Sequence, residues 1–129
     1  RLNPDDPWKA FRPGEYHGNN ACGSCHTEEM GSWLTQFHSV AWPTLVKRGD
    51  HEKAECVSCH VTGAGQPGGW APPADPHGGL LTDVGCEACH GPGGPHDGEP
   101  TAAETTCAGC HDEKHSIAFS YEKGLPLID

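Results

Sequence analysis

Little in this chain could build an ordinary apolar core. The hydrophobic fraction is 34% over 129 residues, against roughly 45–50% in typical globular domains. Phe occurs 3 times, Tyr 2 times and Met once. A chain so poor in large apolar side chains cannot fold on their burial alone. Cations are scarce too: 8 Lys and Arg face 18 Asp and Glu, for a net charge of −10. No basic run exists, which excludes nucleic acid as a partner. No stretch approaches the roughly 20 apolar residues of a membrane span. Strand signals are nearly absent, and there is no βαβ pattern. The length is that of one domain, 1–129.

What the chain has instead is Gly, Pro, His and Cys. Gly 18 and Pro 12 make long irregular connections the expectation. The eight Cys fall in four copies of Cys-x-x-Cys-His: Cys22, Cys25 and His26; Cys56, Cys59 and His60; Cys86, Cys89 and His90; Cys107, Cys110 and His111. This is the attachment pattern of c-type haem, with thioethers from both cysteines and an axial iron bond from the histidine. A disulfide framework gives no reason for His after every second Cys. Zinc would tolerate any residue there, and its pairs vary in spacing. A thioredoxin-like pair would be single, within a βαβ unit. The cofactor expected is therefore four covalently attached haems c. The fold expected is that of a multihaem cytochrome c: mostly irregular, a few short α-helices, little or no β, its core built from the haems. The haem-free chain is then expected to be unfolded, much as small zinc domains are without metal.

Residues 1–21 read as an N-terminal arm with Trp8, Phe11 and Tyr16 as packing anchors. Residues 27–40 are the best helix candidate. Thr27 suits the N-cap, Glu28 and Glu29 suit the positive end, and Met30, Trp33, Leu34, Phe37 and His38 share one face. A second short helix starts at Trp42-Pro43 and stops at Gly49. Residues 61–85 form a long loop whose extended reach would cross a haem face. Thr101 and Glu104 make a capping box for a helix running into Cys107. Residues 91–100 and 116–129 read as irregular coat. The motifs recur after 34, 30 and 21 residues, too unevenly for a solenoid.

Each iron takes its motif His as proximal ligand: His26, His60, His90 and His111. The sixth position can be filled by His, Met or water, or stay open. Met30 could serve one haem. Six further histidines are distal candidates, in the order His38, His96, His115, His77, His51 and His17. An isolated surface His is usually just solvated, a reading that applies most to His17 and His51. His38 shares the apolar face of a helix, His96 lies in a Gly-Pro-rich turn, and His115 follows the fourth motif closely. Bis-His ligation closes the iron to substrates and suits electron transfer. The polar N-terminus is expected to be a mature one after export, since haem is attached to this motif outside the cytoplasm. The expected location is periplasmic or extracellular.

The stretch Val84-Gly-Cys-Glu-Ala-Cys-His-Gly-Pro-Gly-Gly-Pro-His96 resembles the signature of the cytochrome c554-like multihaem family. So do Cys59-His60-x-Thr62-Gly63, Tyr16-x-Gly18, and Trp33 followed by His38. The resemblance covers roughly residues 16–121. It implies a tetrahaem protein with haem pairs packed alternately parallel and at steep angles. By position it implies distal roles for His38 and His96, with His77 and His115 matching less closely and no counterpart for His17 or His51. The chain departs from longer relatives, some of which carry a C-terminal extension and one five-coordinate haem. It also resembles the small subunits of extracellular cytochrome filaments, where a His of one subunit can ligate a haem of the next, a role for which His17 on the arm would serve. Three readings follow: a polymerising extracellular electron conduit, a monomeric periplasmic carrier, or a small redox enzyme with one open haem. Electron transfer without catalysis is favoured, with the polymerising extracellular conduit placed first, the periplasmic carrier as its alternative and the enzyme last. The partners expected are redox proteins, copies of this chain in a head-to-tail filament, or an extracellular electron acceptor.

Overall fold

The computed structural model describes residues 15–94, 104–111 and 121–128. Trp8, Phe11, His96, Thr101 and His115 lie outside them. The helices are α1 (Asn19–Gly23), α2 (Thr27–Leu34), α3 (Ala41–Arg48), α4 (Ala54–Val57), α5 (Cys86–His90), α6 (Glu104–Ala108) and α7 (Tyr121–Ile128), with a 3-10 turn at Phe37–Val40 between α2 and α3. None exceeds eight residues. The β contact among the described residues is one isolated antiparallel bridge, Val61 to Thr82. A mostly irregular chain with a few short helices is what the Gly, Pro and Cys pattern predicts.

The expected helix over 27–40 is broken in two. His26, not Thr27, holds the cap position, and it makes no side-chain cap bond. Glu28 and Glu29 do lie in the first turn, where the helix dipole favours negative charge. The break has a local cause. Thr35 Oγ1 donates to Ser32 O at 2.7 Å, and Ser39 Oγ donates to Gln36 O at 2.8 Å. These hydroxyls compete with backbone donors for the carbonyls a continuing helix would need. The single apolar face therefore does not form: Phe37 is 92% exposed, while the Trp33 indole turns inward to donate to Val84 O at 2.8 Å.

Helix α3 follows the sequence closely. Pro43 sits in its first turn, and Gly49 ends it with φ 79°. Asp50 N–H bonds Leu45 O and Gly49 N–H bonds Val46 O. That double closure needs a left-handed residue, which Gly adopts at least cost. The tail 116–129 departs from its expectation, because α7 occupies Tyr121–Ile128 despite Pro126 within it. Glu122 suits its positive end. One of its terminal carbonyls, Ile128 O, takes a bond from Gln36 Nε2 at 2.9 Å.

The loop 61–85 does not run extended. Thr62 N–H reaches Leu81 O at 2.8 Å, Trp70 N–H reaches Thr62 O at 3.0 Å, and Thr62 Oγ1 donates to Asp83 O at 2.9 Å. The loop thus folds back on itself around buried Thr62. A Cβ at Gly69 would collide with the Gly63 carbonyl, so the close approach of those strands of loop requires glycine. Beneath it lies a small core of Trp42, Leu45, Val57 and Val61, edged by Val46, Trp70, Ala64 and Ala74. This core stands beside the second Cys-x-x-Cys-His motif and is fed by α3, α4 and the loop.

Candidate haem centre

Each motif is one short helical turn. Within a motif the first Cys, second Cys and His stand at i, i+3 and i+4, which puts all three on one face of such a turn. In the first, His26 N–H bonds Cys22 O at 2.9 Å. In the second, Cys56 lies in α4 and His60 N–H bonds Val57 O at 2.8 Å. The third is the whole of α5. In the fourth, Cys107 lies in α6 and His111 N–H bonds Cys107 O at 2.8 Å. One face carrying two thiols and an imidazole is the arrangement that clasps a single haem edge and its iron together. All eight cysteines are unbridged. Among the described residues no three His, Cys, Asp or Glu side chains converge as a zinc site requires.

The histidines differ in what holds them. His60 Nδ1 lies 2.8 Å from Ala41 O. Donation to that carbonyl fixes the tautomer and leaves Nε2 as the metal-binding nitrogen. His26 Nδ1 lies 3.8 Å from Glu29 Oε1. His90 and His77 are exposed, His77 in a turn where its N–H bonds Asp75 Oδ1 at 2.8 Å. His51 stands edge-on to Trp42 with centroids 6.1 Å apart, its Nδ1 buried without a hydrogen bond.

His38 and His111 come together. Their ring centroids are 6.2 Å apart with planes at 57°. Two imidazoles held on opposite sides of one metal by bonds of about 2 Å place their centroids about 6 Å apart. Burial, and then the neighbouring His111, hold His38 below its ordinary pKa. A ligand imidazole must be neutral, so this shift suits the role. Sequence reasoning singled out His38, but nothing in spacing pairs it with the fourth motif, which begins 69 positions later at Cys107. His17 is half-buried beside α5.

The motifs also meet one another. Cys22 and Cys86 are near enough to influence one another, Cys22 held above and Cys86 below the ordinary thiol pKa by that pairing. Burial and then Cys107 and Cys86 push Cys89 up. These thiols stand for the thioether sulfurs of attached haem, which do not titrate. The third motif therefore touches the first through Cys86 and neighbours the fourth through Cys89.

Three residues that the sequence reading did not single out hold these turns in register. Glu87 accepts backbone hydrogen bonds from His17, Gly18 and Gly93. Asn19 Oδ1 accepts from Cys86 N–H at 2.8 Å, and a Cβ on Gly85 would strike the Asn19 side chain. Asp83, at φ 73°, accepts from Trp42 N–H at 2.8 Å while its own N–H bonds His60 O at 3.0 Å. The Tyr16 ring lies over Gly63, and Val84 N–H bonds His38 O at 3.1 Å. The separate sequence signatures at 16–18, 33–38, 59–63 and 84–93 are thus one connected cluster.

Comparison with known proteins agrees with this cluster. The family model described as cytochrome c554 and c-prime matches residues 21–91. The chain belongs to that family. It is 38% identical over 93 residues to cytochrome c-554 of Nitrosomonas europaea, a match covering 60% of this chain and 39% of the relative. The chain thus spans about two fifths of that relative's length. The solved structure of the reduced state of cytochrome c554 from Nitrosomonas europaea superposes with a TM-score of 0.64 at 23% identity. It covers 87% of this chain and 82% of that one. This cytochrome c554 family fold carries four covalently bound haems c, one per motif.

Proposed function

We propose that the chain transfers electrons, taking them from one redox protein and passing them to another through its four haems. One observation carries this reading. The attachment turns are not scattered: backbone ties to Glu87 and Asn19 hold the first motif beside the third, and His38 meets His111 of the fourth. When bound, haem supplies a one-electron iron couple whose potential follows axial ligand and burial. The chain's residues fix attachment, orientation and the sixth ligand. His26, His60, His90 and His111 are the proximal ligands in this reading. His38 is the distal ligand opposite His111. The other distal ligands are drawn from His96, His115, His77, His51 and His17.

The setting proposed is outside the cytoplasm, as a periplasmic carrier. The net charge of −10 would draw it to basic partners at low salt. No helix of the described residues is long and apolar enough to cross a membrane. The filament reading rests on resemblance, and it asks His17 to reach a neighbouring subunit. The backbone bonds of His17 and Gly18 to Glu87 support keeping that residue within its own chain. The pairing of His38 with His111, a second imidazole for one haem, supports a carrier over an enzyme.

Native protein purified from its source tests this reading. Four reversible one-electron steps, low-spin irons that ignore cyanide and nitrite, and monodisperse particles by electron microscopy are expected. Ordered filaments would replace the carrier with the polymerising conduit. A haem that binds nitrite and turns it over would replace both with an enzyme.

A further inference from the structure

Glu87 occupies the first variable position of the third motif. The corresponding positions of the other three hold Gly23, Val57 and Ala108. A carboxylate there is 4% exposed, and among the described residues it pairs with no Lys or Arg. A buried charge of this kind is costly unless every lone pair is satisfied. It is satisfied here by backbone alone. His17 N–H lies 3.1 Å from Oε1 and 2.9 Å from Oε2. Gly18 N–H lies 2.7 Å from Oε1, and Gly93 N–H lies 2.7 Å from Oε2. Carboxylates in such a nest of N–H groups make short, charge-assisted bonds.

The donors come from two segments that flank different haems. His17 and Gly18 precede the first motif, and α1 starts at the next residue. Gly93 lies in the turn that leaves His90. Asn19 adds a second tie by accepting from Cys86 N–H. These ties hold the start of α5 beside the segment that leads into the first motif. Resting on the electron-transfer reading above, we propose that Glu87 is a positioning residue that sets how the first haem packs on the third. It acts through the 16–18 segment and the 91–94 turn, and through no contact with iron.

The two oxygens divide the donors in part, Gly18 on Oε1 and Gly93 on Oε2 with His17 shared between them, which makes the claim testable. Glu87→Gln keeps one carbonyl oxygen for His17 and Gly18. Its amide then faces the Gly93 N–H, donor against donor. Glu87→Ala removes both ties. Each variant, produced as holoprotein, is first weighed to confirm four haems. Hyperfine-shifted haem methyl resonances and the Soret circular dichroism couplet are then recorded. Expected is a graded change, largest in Glu87→Ala and smaller in Glu87→Gln. It should be confined to the resonances of the haems at Cys22/Cys25 and Cys86/Cys89. Leu45→Ala, a truncation in the core under the loop, destabilises without touching either segment. It should leave those two haems' resonances unchanged. Should Glu87→Ala fail to retain its haems, Glu87→Gln carries the test alone.

Four haems with wild-type resonances and couplet in both Glu87 variants would overturn the proposal. So would a Leu45→Ala variant that perturbs the same two haems equally, since the effect would then be one of general loosening. Failure of the electron-transfer reading itself would show differently, as wild-type holoprotein without reversible redox steps.

Discussion

At the scale of single residues, the histidines are sorted by what their second nitrogen meets. His60 is oriented by a backbone carbonyl, and His38 by its neighbourhood of His111 and burial. Removing His38 should free one axial position and leave the other three haems as they are. His38→Ala is expected to turn one haem in four high-spin and cyanide-reactive, read by electron paramagnetic resonance. No change in spin state would remove His38 from the ligand set.

Elements in this chain are short because their ends are set by side chains from elsewhere. Asp83 illustrates it: its carboxylate receives the Trp42 N–H in the first turn of α3, from 41 positions away. Asp83→Ala loses this cap and keeps an unfavourable backbone, φ 73°, for a residue with a Cβ. The holoprotein should be destabilised by about 1–3 kcal/mol in thermal or denaturant unfolding. Asp83→Asn keeps an acceptor and tolerates that φ. Burial raises the Asp83 pKa, with the Trp42 bond acting the other way. The charged form is thus disfavoured in the fold. Asn should gain on wild type near neutrality, and the gain should shrink as pH falls through the raised folded pKa and be gone below 3.8, where the carboxyl is protonated in both states. An Asn variant no better than Ala would show that neither the cap nor the tolerance of that φ contributes, and would overturn this account. The sequence made several of these elements legible. Cys-x-x-Cys-His forces a turn at each motif, and Pro43 with Gly49 brackets α3. It did not reveal the break after Leu34, because Thr35 and Ser39 read as ordinary polar residues on a helix rather than as competitors for its carbonyls. Helix α7 lay in the stretch expected to be irregular coat, since its Gly124 and Pro126 are poor helix formers and the bond from Gln36 to its end comes from 92 positions away. Glu87 was quoted within a signature, yet a charged residue between two cysteines carries no mark of burial until the partners 69 and 70 positions away are seen. The pairing of His38 with His111 was invisible for the same reason, since contact across the chain leaves no trace in spacing.

At the scale of the whole molecule, protein packing alone looks insufficient. The buried apolar cluster is Trp42, Leu45, Val57 and Val61, all on one side of the fold near the second motif. The first, third and fourth motifs have no comparable cluster among the described residues; the first and third are joined by hydrogen bonds through Glu87, Asn19 and Trp33. Such bonds contribute about 0.5–1.5 kcal/mol each once competition with water is counted. They specify geometry but cannot offset the conformational entropy of so much irregular backbone. Apolar side chains such as Leu34 and Phe37 lie at the surface around the motifs instead of in that cluster, which leaves the covalently bound haems as the main apolar partner. The chain made without haem attachment, or with Cys86→Ala and Cys89→Ala together, should therefore lack a cooperative thermal transition by far-ultraviolet circular dichroism, with amides that exchange freely. The holoprotein should unfold cooperatively at high temperature, and single thioether losses should lower its midpoint. A haem-free chain that melted cooperatively would mean that the small Trp42 cluster suffices, and that the haems are passengers on the fold. Intermediate behaviour has a structural meaning too. Protection confined to α3, α4 and the 61–85 loop would identify that half as the part that folds first. The Glu87-centred half would then assemble only once its haems are in place.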